Sequence, residues 1–224
     1  MTQAWMSAAE RIQGRATAAP PGRGAPRAVW GVTGSDPATR SAVQEARRLL
    51  ARKRESHLVW NPLTGEIVQL LAATRRGRID LGGTHQYEQH VDHGLEGRVC
   101  LVVAVVARPD APFTDGPMRG LAPVLAWTDA WGVARRWNGA LPGAPEEPEE
   151  PGGPDEASAR AWSRGGHFGQ DHVPGSDATG PGHIEPSRLL APYSGVERDT
   201  GTDQARGAFE SANAPNWRQP SAIT

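Results

Sequence analysis

The run Val99–Val106 (VCLVVAVV) has no charged side chain and is dominated by valine. β-Branched residues fit a pleated surface, and an uninterrupted apolar run of this length leaves neither face for water. It therefore predicts a central strand with layers packed on both sides. Such a strand needs neighbours. Arg27–Gly31 reads as one, and His57–Trp60 as another. Pro62-Leu63-Thr64-Gly65 has proline early and glycine last, a turn signal that sends Glu66–Leu71 back as the partner strand of a hairpin.

Two helical patterns supply the covering layers. Val43, Ala46, Leu49 and Leu50 recur at helical spacing, with Arg40, Arg47, Arg48 and Arg52 largely outward. Ser35 or Asp36 is the expected cap, Pro37 suits the first turn, and the helix is expected to end near Lys53. Leu121, Val124, Leu125, Thr128 and Trp131 mark a second helix, with Pro123 in its first turn and Gly132 as its stop. The order of elements predicts a three-layer α/β domain over residues 27–190, with a mixed central sheet flanked by helices.

The remainder favours loops: 27 glycines and 20 prolines occur in 224 residues. Residues 1–26 read as an irregular arm, Arg75–Gly97 as a long loop, and 191–224 as an extended tail. Residues 140–156 alternate proline, glycine and glutamate and read as a flexible insertion unable to offset its ordering entropy. A net charge of −1 gives no electrostatic case for nucleic acid. Cys100 is the lone cysteine, so no intrachain disulfide forms, and its apolar surroundings predict a buried, unreactive thiol. No secretory signal and no membrane span are visible, so synthesis in the cytoplasm and a monomer are the expectations.

Three short patterns carry chemistry. Trp30-Gly31-Val32-Thr33 closes the first strand; Gly165-Gly166-His167-Phe168-Gly169 follows much later; Gly180-Pro181-Gly182 comes last. With the hairpin between them, their order resembles the zinc-dependent N-acetylmuramoyl-L-alanine amidases, a family that shares its fold with peptidoglycan-recognition proteins and includes phage endolysins. The resemblance implies zinc held by a histidine after the first strand, a Gly-His histidine and an Asp-Pro-Gly aspartate, with a carboxylate on the buried strand as base. Matched by motif, those positions are Gly31, His167, Gly180 and Ala104, and only His167 keeps a donor. The resemblance thus implies a degenerate zinc site, with the four positions around one shallow cleft. His172, Asp177 and His183 are candidate replacement ligands, alongside Asp171.

The same resemblance implies a muropeptide groove between 167–182, 75–97 and the Gly31 loop. Arg75, Arg76, Arg78 and Arg164 are its candidate carboxylate partners, because a guanidinium fork matches carboxylate geometry. His85, His90 and His93, with Asp92, form a second histidine cluster that reads as a solvated loop, and His57 reads as structural. Trp30, Trp60, Trp127, Trp131 and Trp137 read as packing residues. Three functions stay open: a catalytically impaired muropeptide binder, an active zinc amidase with substituted ligands, or a decayed prophage-type endolysin. Each would meet the cell wall after lysis or by another route of release.

Overall fold

Every residue of the strand Cys100–Val105 is buried, and a six-stranded mixed sheet is built outward from it. The computed structural model describes residues 3–15, 22–79, 81, 83–86, 89–138 and 153–191, with the backbone alone at 83–86, 89–92 and 153–155. In chain order the strands are β1 (Glu10–Arg11), β2 (Arg27–Val32), β3 (Leu58–Trp60), β4 (Ile67–Gln69), β5 (Gly83–Gln86), β6 (Gln89–Asp92), β7 (Cys100–Val105) and β8 (Gly166–Gly169). The main sheet runs β1-β4-β3-β7-β2-β8, while β5 and β6 form a separate antiparallel pair. The strands β2, β3, β7 and β8 are parallel, and β4 turns back antiparallel to β3.

Among the described residues, four helices accompany the sheet: α1 (Ala42–Ala51), α2 (Leu121–Ala130), α3 (Gly153–Ser163) and the single turn α4 (Pro186–Leu189). The pleat of the sheet sorts its residues between two faces. On one, Trp30, Trp60, Leu101, Val103 and Val105 pack with Phe113 and with Val124, Leu125 and Trp127 of α2. On the other, Val59, Val68, Ala104 and Val106 meet Ala42, Ala46 and Leu49 of α1. Further along that second face, Val29, Val102 and Phe168 meet Trp162 of α3. Coverage on both faces explains why β7 has no polar alternation to show.

The start of α1 differs from the sequence expectation. Ser41, rather than Ser35 or Asp36, is the N-cap: its Oγ accepts from the Gln44 N–H at 3.1 Å, and the Gln44 side chain accepts from the Ser41 N–H at 3.2 Å. Asp36 instead closes a turn two residues on, accepting from the Ala38 N–H at 2.8 Å. The reciprocal pair satisfies two donors that a helix start leaves open. Ser41→Ala should cost about 1 kcal/mol in urea unfolding, and an unchanged midpoint would show that the cap contributes nothing. The hairpin turn is held as its sequence suggests, with Asn61 Oδ1 accepting from Leu63 and Thr64 and with Gly65 at φ 82°.

Other segments carry more structure than their composition announced. The irregular arm at 1–26 contributes β1, which pairs parallel with β4, and Met6, which is buried in the core. Its small polar residues hid a backbone role: a sheet edge is satisfied by hydrogen bonds rather than by apolar side chains. The long loop at 75–97 contains the β5–β6 pair, with His85 opposite His90, and a 3-10 turn at His93–Leu95. The Gly-His histidine sits on the edge strand β8, whose four residues are all buried. Residues 153–156 of the expected insertion begin α3, and its remaining part lies outside the described residues, as does the tail beyond Ala191.

Candidate functional site

The parallel strands β2, β7 and β8 set the coordinates of the candidate site. Gly31 and Ala104 are direct neighbours across β2 and β7, near the carboxyl ends of both strands. Each contributes to the α1 face of the sheet, as the clustering of Ala104 with Val59 and Val106 shows. The Gln170 side chain fills the space over Gly31, with Oε1 2.5 Å from where a Cβ would stand.

His167 lies elsewhere. It pairs with Ala28, three residues before Gly31 on β2, and so stands roughly 10 Å back along the strand. Its ring stacks on Trp30, with centroids 5.9 Å apart, and its Nδ1 accepts from Trp30 Nε1 at 3.0 Å. Trp30 belongs to the α2 face. A pleated strand turns residues 30 and 31 to opposite sides, so His167 points away from Gly31 and Ala104. Gly180 is on the His167 side: a Cβ there would meet Val32 Cγ2 at 2.9 Å. This corrects the expectation of one shared cleft. Gly31 and Ala104 occupy one face, and His167 and Gly180 the other.

The imidazole of His167 is fully buried, and burial pushes its pKa down to about 4, with Asp129 and Arg135 acting in opposite directions as smaller influences. Its Nδ1 is the acceptor, which leaves the proton on Nε2, buried and without a hydrogen-bond partner among the described residues. His57 is a second neutral core histidine. Its Nδ1 accepts from the Val102 N–H at 3.0 Å, and its Nε2 donates to the Arg75 carbonyl at 2.7 Å. Burial lowers its pKa to about 4 as well. The structural reading of His57 therefore has a concrete basis: both ring nitrogens are used to tie β3 and β7 to the segment after β4.

The candidate replacement ligands separate in the same way. His172 Nδ1 lies 3.2 Å from Asp171 Oδ1, and both atoms are buried over Gly169 beside Pro181. The His172 ring meets the edge of Trp137 at 5.7 Å. Asp177 and His183 are exposed. A zinc site needs three convergent donors and an open position. The glycines and the alanine offer no side-chain donor, His167 is committed to Trp30, and the Asp171–His172 pair supplies two groups. Among the described residues, these side chains bring two candidate donors together, one short of the three that such a site uses.

The four candidate arginines lie at the other end of the strands. The Arg78 N–H donates to the Glu55 carbonyl at 2.7 Å, and Gly77 lies against Glu55 and His57, just before β3. Arg75 and Arg76 line a small recess with residues 94–100, which precede and open β7. Arg164 comes just before β8, where Gly165 abuts Ala25 and Pro26. These residues stand at the amino ends of the parallel strands, whereas Gly31 and Gly180 stand at the carboxyl ends. The expected groove joining them is corrected accordingly. Of the second histidine cluster, His93 is buried and its Nδ1 meets Glu96 Oε2 at 2.8 Å; the side chains of His85, His90 and Asp92 lie outside the described residues. Trp162 Nε1 donates to the same Glu96 carboxylate.

Two positions escaped the sequence reading. Val32 and Gly169 share the face of His167 and Gly180 and sit nearer the carboxyl end than His167 does. The signal was present as alternation: Trp30 and Val32 are two apart on β2, and in Gly-His-Phe-Gly the apolar Phe168 divides His167 from Gly169.

No protein-family model matches the chain, and no curated protein matches it. Among solved structures, a selenomethionine derivative of AmpD is similar at 16% identity, over 84% of this chain and 96% of that one, with a TM-score of 0.49. The endolysin N-acetylmuramoyl-L-alanine amidase LysCS from Clostridium intestinale is similar at 9% identity, over 84% and 97%, with a TM-score of 0.42. Drosophila peptidoglycan recognition protein SD is similar at 13% identity, over 78% and 89%, with a TM-score of 0.38.

Proposed function

We propose that the chain is a peptidoglycan-directed protein of amidase-like fold that binds muropeptide and is catalytically impaired. The observation that carries this reading is the chemistry at the carboxyl ends of β2, β7 and β8. The positions that the motif order assigns to donors there are Gly31, Ala104 and Gly180, and the one remaining donor, His167, is turned into the core. Zinc in a hydrolytic site lowers the pKa of its bound water and polarises the scissile carbonyl. Without a held ion and a positioned base, a fold of this kind retains recognition alone. Its site of action is the cell wall, reached after release from the cell. No helix among the described residues is long and apolar enough to cross a membrane.

The second reading, an amidase with substituted ligands, rests on the Asp171–His172 pair beside Gly169 and Pro181. One experiment separates the two. Purified protein incubated with peptidoglycan sacculi should cosediment with them and release no muropeptide, with or without added zinc. Zinc-dependent release that disappears in His172→Ala would establish the second reading. Absence of both cosedimentation and release would overturn both and favour a decayed product.

A further inference from the structure

Each strand of the main sheet brings an exposed arginine to the same end of the molecule. The parallel strands β2, β3, β7 and β8 begin there, and Arg23, Arg54, Arg98 and Arg164 stand on the segments that enter them. The antiparallel β4 finishes there, as does β1 beside it, and Arg75 and Arg15 stand on the segments that leave them. Among the described residues, none of the six pairs with a carboxylate. The acids close to this end are already engaged: Glu55 is buried beside Arg78, Glu96 is held by His93 and Trp162, and Asp129 is forked onto Arg135. Neighbouring strands lie ~4.8 Å apart, inside the Debye length of ~8 Å at physiological salt. Charges carried on adjacent strands therefore reinforce one another along a row of roughly 24 Å. The net charge of −1 for the whole chain conceals this segregation.

An exposed leucine stands among these arginines. Leu95, 42% exposed, ends the 3-10 turn His93–Leu95 and shares a shallow recess with Arg75, Arg76 and Arg98. The turn is braced. The Glu96 carboxylate meets His93 Nδ1 at 2.8 Å and accepts from the Trp162 indole N–H, and the Arg27 guanidinium lies 4.7 Å over the Trp162 ring. The next residues are tied to the Arg23 segment: the Gly97 N–H donates to the Arg23 carbonyl at 3.1 Å, and the Arg98 N–H to the Gly24 carbonyl at 3.3 Å. A single exposed leucine ordinarily signifies nothing. Held out on a fixed support among arginines, it matches a side chain that enters the headgroup region of a bilayer while the cations meet lipid phosphates. The recess, about 30 Å³, lies far below the ~300–1,000 Å³ of small-ligand pockets. This end of the sheet therefore meets a partner as a surface and does not enclose a ligand. A nucleic-acid backbone would use the arginines and leave Leu95 without a role.

We propose that this end of the sheet docks on an anionic phospholipid surface, with Leu95 at the headgroup boundary and the arginine row on the phosphates. The inference goes beyond wall binding and is independent of it, since the wall reading rests on the opposite ends of the strands. The test is sedimentation of the full chain with phosphatidylcholine vesicles containing phosphatidylglycerol, beside vesicles of phosphatidylcholine alone. Binding is expected to the first only, weakening as salt is raised. Each arginine near such a surface contributes about fivefold, so Arg23→Gln, Arg54→Gln and Arg98→Gln together should weaken binding about 100-fold. The same loss of charge at the other end, through Arg40→Gln, Arg119→Gln and Arg188→Gln, should weaken it far less. Leu95→Ser keeps every charge and should weaken binding about fivefold even at low salt. The altered positions of the arginine row and Leu95 are exposed, so the thermal midpoint should hold in both variants. Equal binding to the two kinds of vesicle, equal losses in the two triple variants, or undiminished binding by Leu95→Ser overturns the proposal. Retention of a short DNA duplex without retention of vesicles overturns it in favour of nucleic acid. Cosedimentation of the Leu95→Ser variant with sacculi tests the wall reading separately, since that reading requires nothing of this end of the sheet.

Discussion

Acidification from pH 7 to 4.5 is expected to remove several kcal/mol of folding stability. The cause is a pair of core histidines. His57 and His167 are both fully buried, and burial lowers each pKa from 6.5 to about 4. The unfolded chain takes up a proton at each near pH 6.5, while the folded chain resists until about pH 4. Between those values the unfolded state binds more protons, so stability rises with pH. The contribution is complete above the unfolded pKa and is lost as pH falls towards the folded one. A displacement of this size corresponds to ~3 kcal/mol for each histidine, a large share of the ~5–15 kcal/mol that holds a typical domain. Glu96, its pKa lowered by His93 and Trp162 against burial, acts in the same direction at lower pH. Urea unfolding at several pH values measures the slope directly. His167→Phe keeps an aromatic ring against Trp30 and should reduce the slope by about half, whatever it does to absolute stability. A flat profile from pH 7 to 4.5, or an unaltered slope in the variant, would remove this account of the core.

These histidines also show what sequence could and could not reveal. Burial of β7 was legible, because eight apolar residues in a row leave a strand no wet face, and its neighbours followed from the turn chemistry at 62–65. The helix α2 was legible from Leu121, Val124, Leu125 and Thr128, with Gly132 taking φ 80° after its end. The face on which each site residue stands was not read, although alternation encodes it. Motif matching treats Gly31 and His167 as points in a line of text. The sheet places them on opposite sides, because Trp30, next to Gly31, is the residue that His167 stacks upon. The arginines were misplaced for a different reason: nothing local in Arg75–Arg78 says which end of a sheet the chain has returned to. That is fixed by pairings distant in sequence, such as Arg78 to Glu55 and His57 to Val102.

The facial argument makes its largest claim about metal binding. If zinc is to be rebuilt at the carboxyl end, the β2 donor must come from position 32 and not from position 31. Val32 stands on the α2 face, its Cγ2 beside Gly180, and the Asp171–His172 pair approaches from Gly169 and Pro181. Val32→His with Gly180→Asp would therefore aim two new donors towards His172, making three. Gly31→His with Gly180→Asp splits its donors across the sheet, and its new ring would first have to displace Gln170. Gain or loss of a supporting group at a metal site changes affinity by about 10–100-fold, and a full ligand matters at least as much. Competition against a fluorescent chelator should thus show zinc binding to the position-32 pair at least ~10-fold tighter than to the position-31 pair. Adding His172→Ala to the position-32 pair should return it to the level of the unmodified chain. Equal zinc affinity in the two designs would mean that residues 31 and 32 reach the same point, and the pleat-based assignment of the site would have to be abandoned.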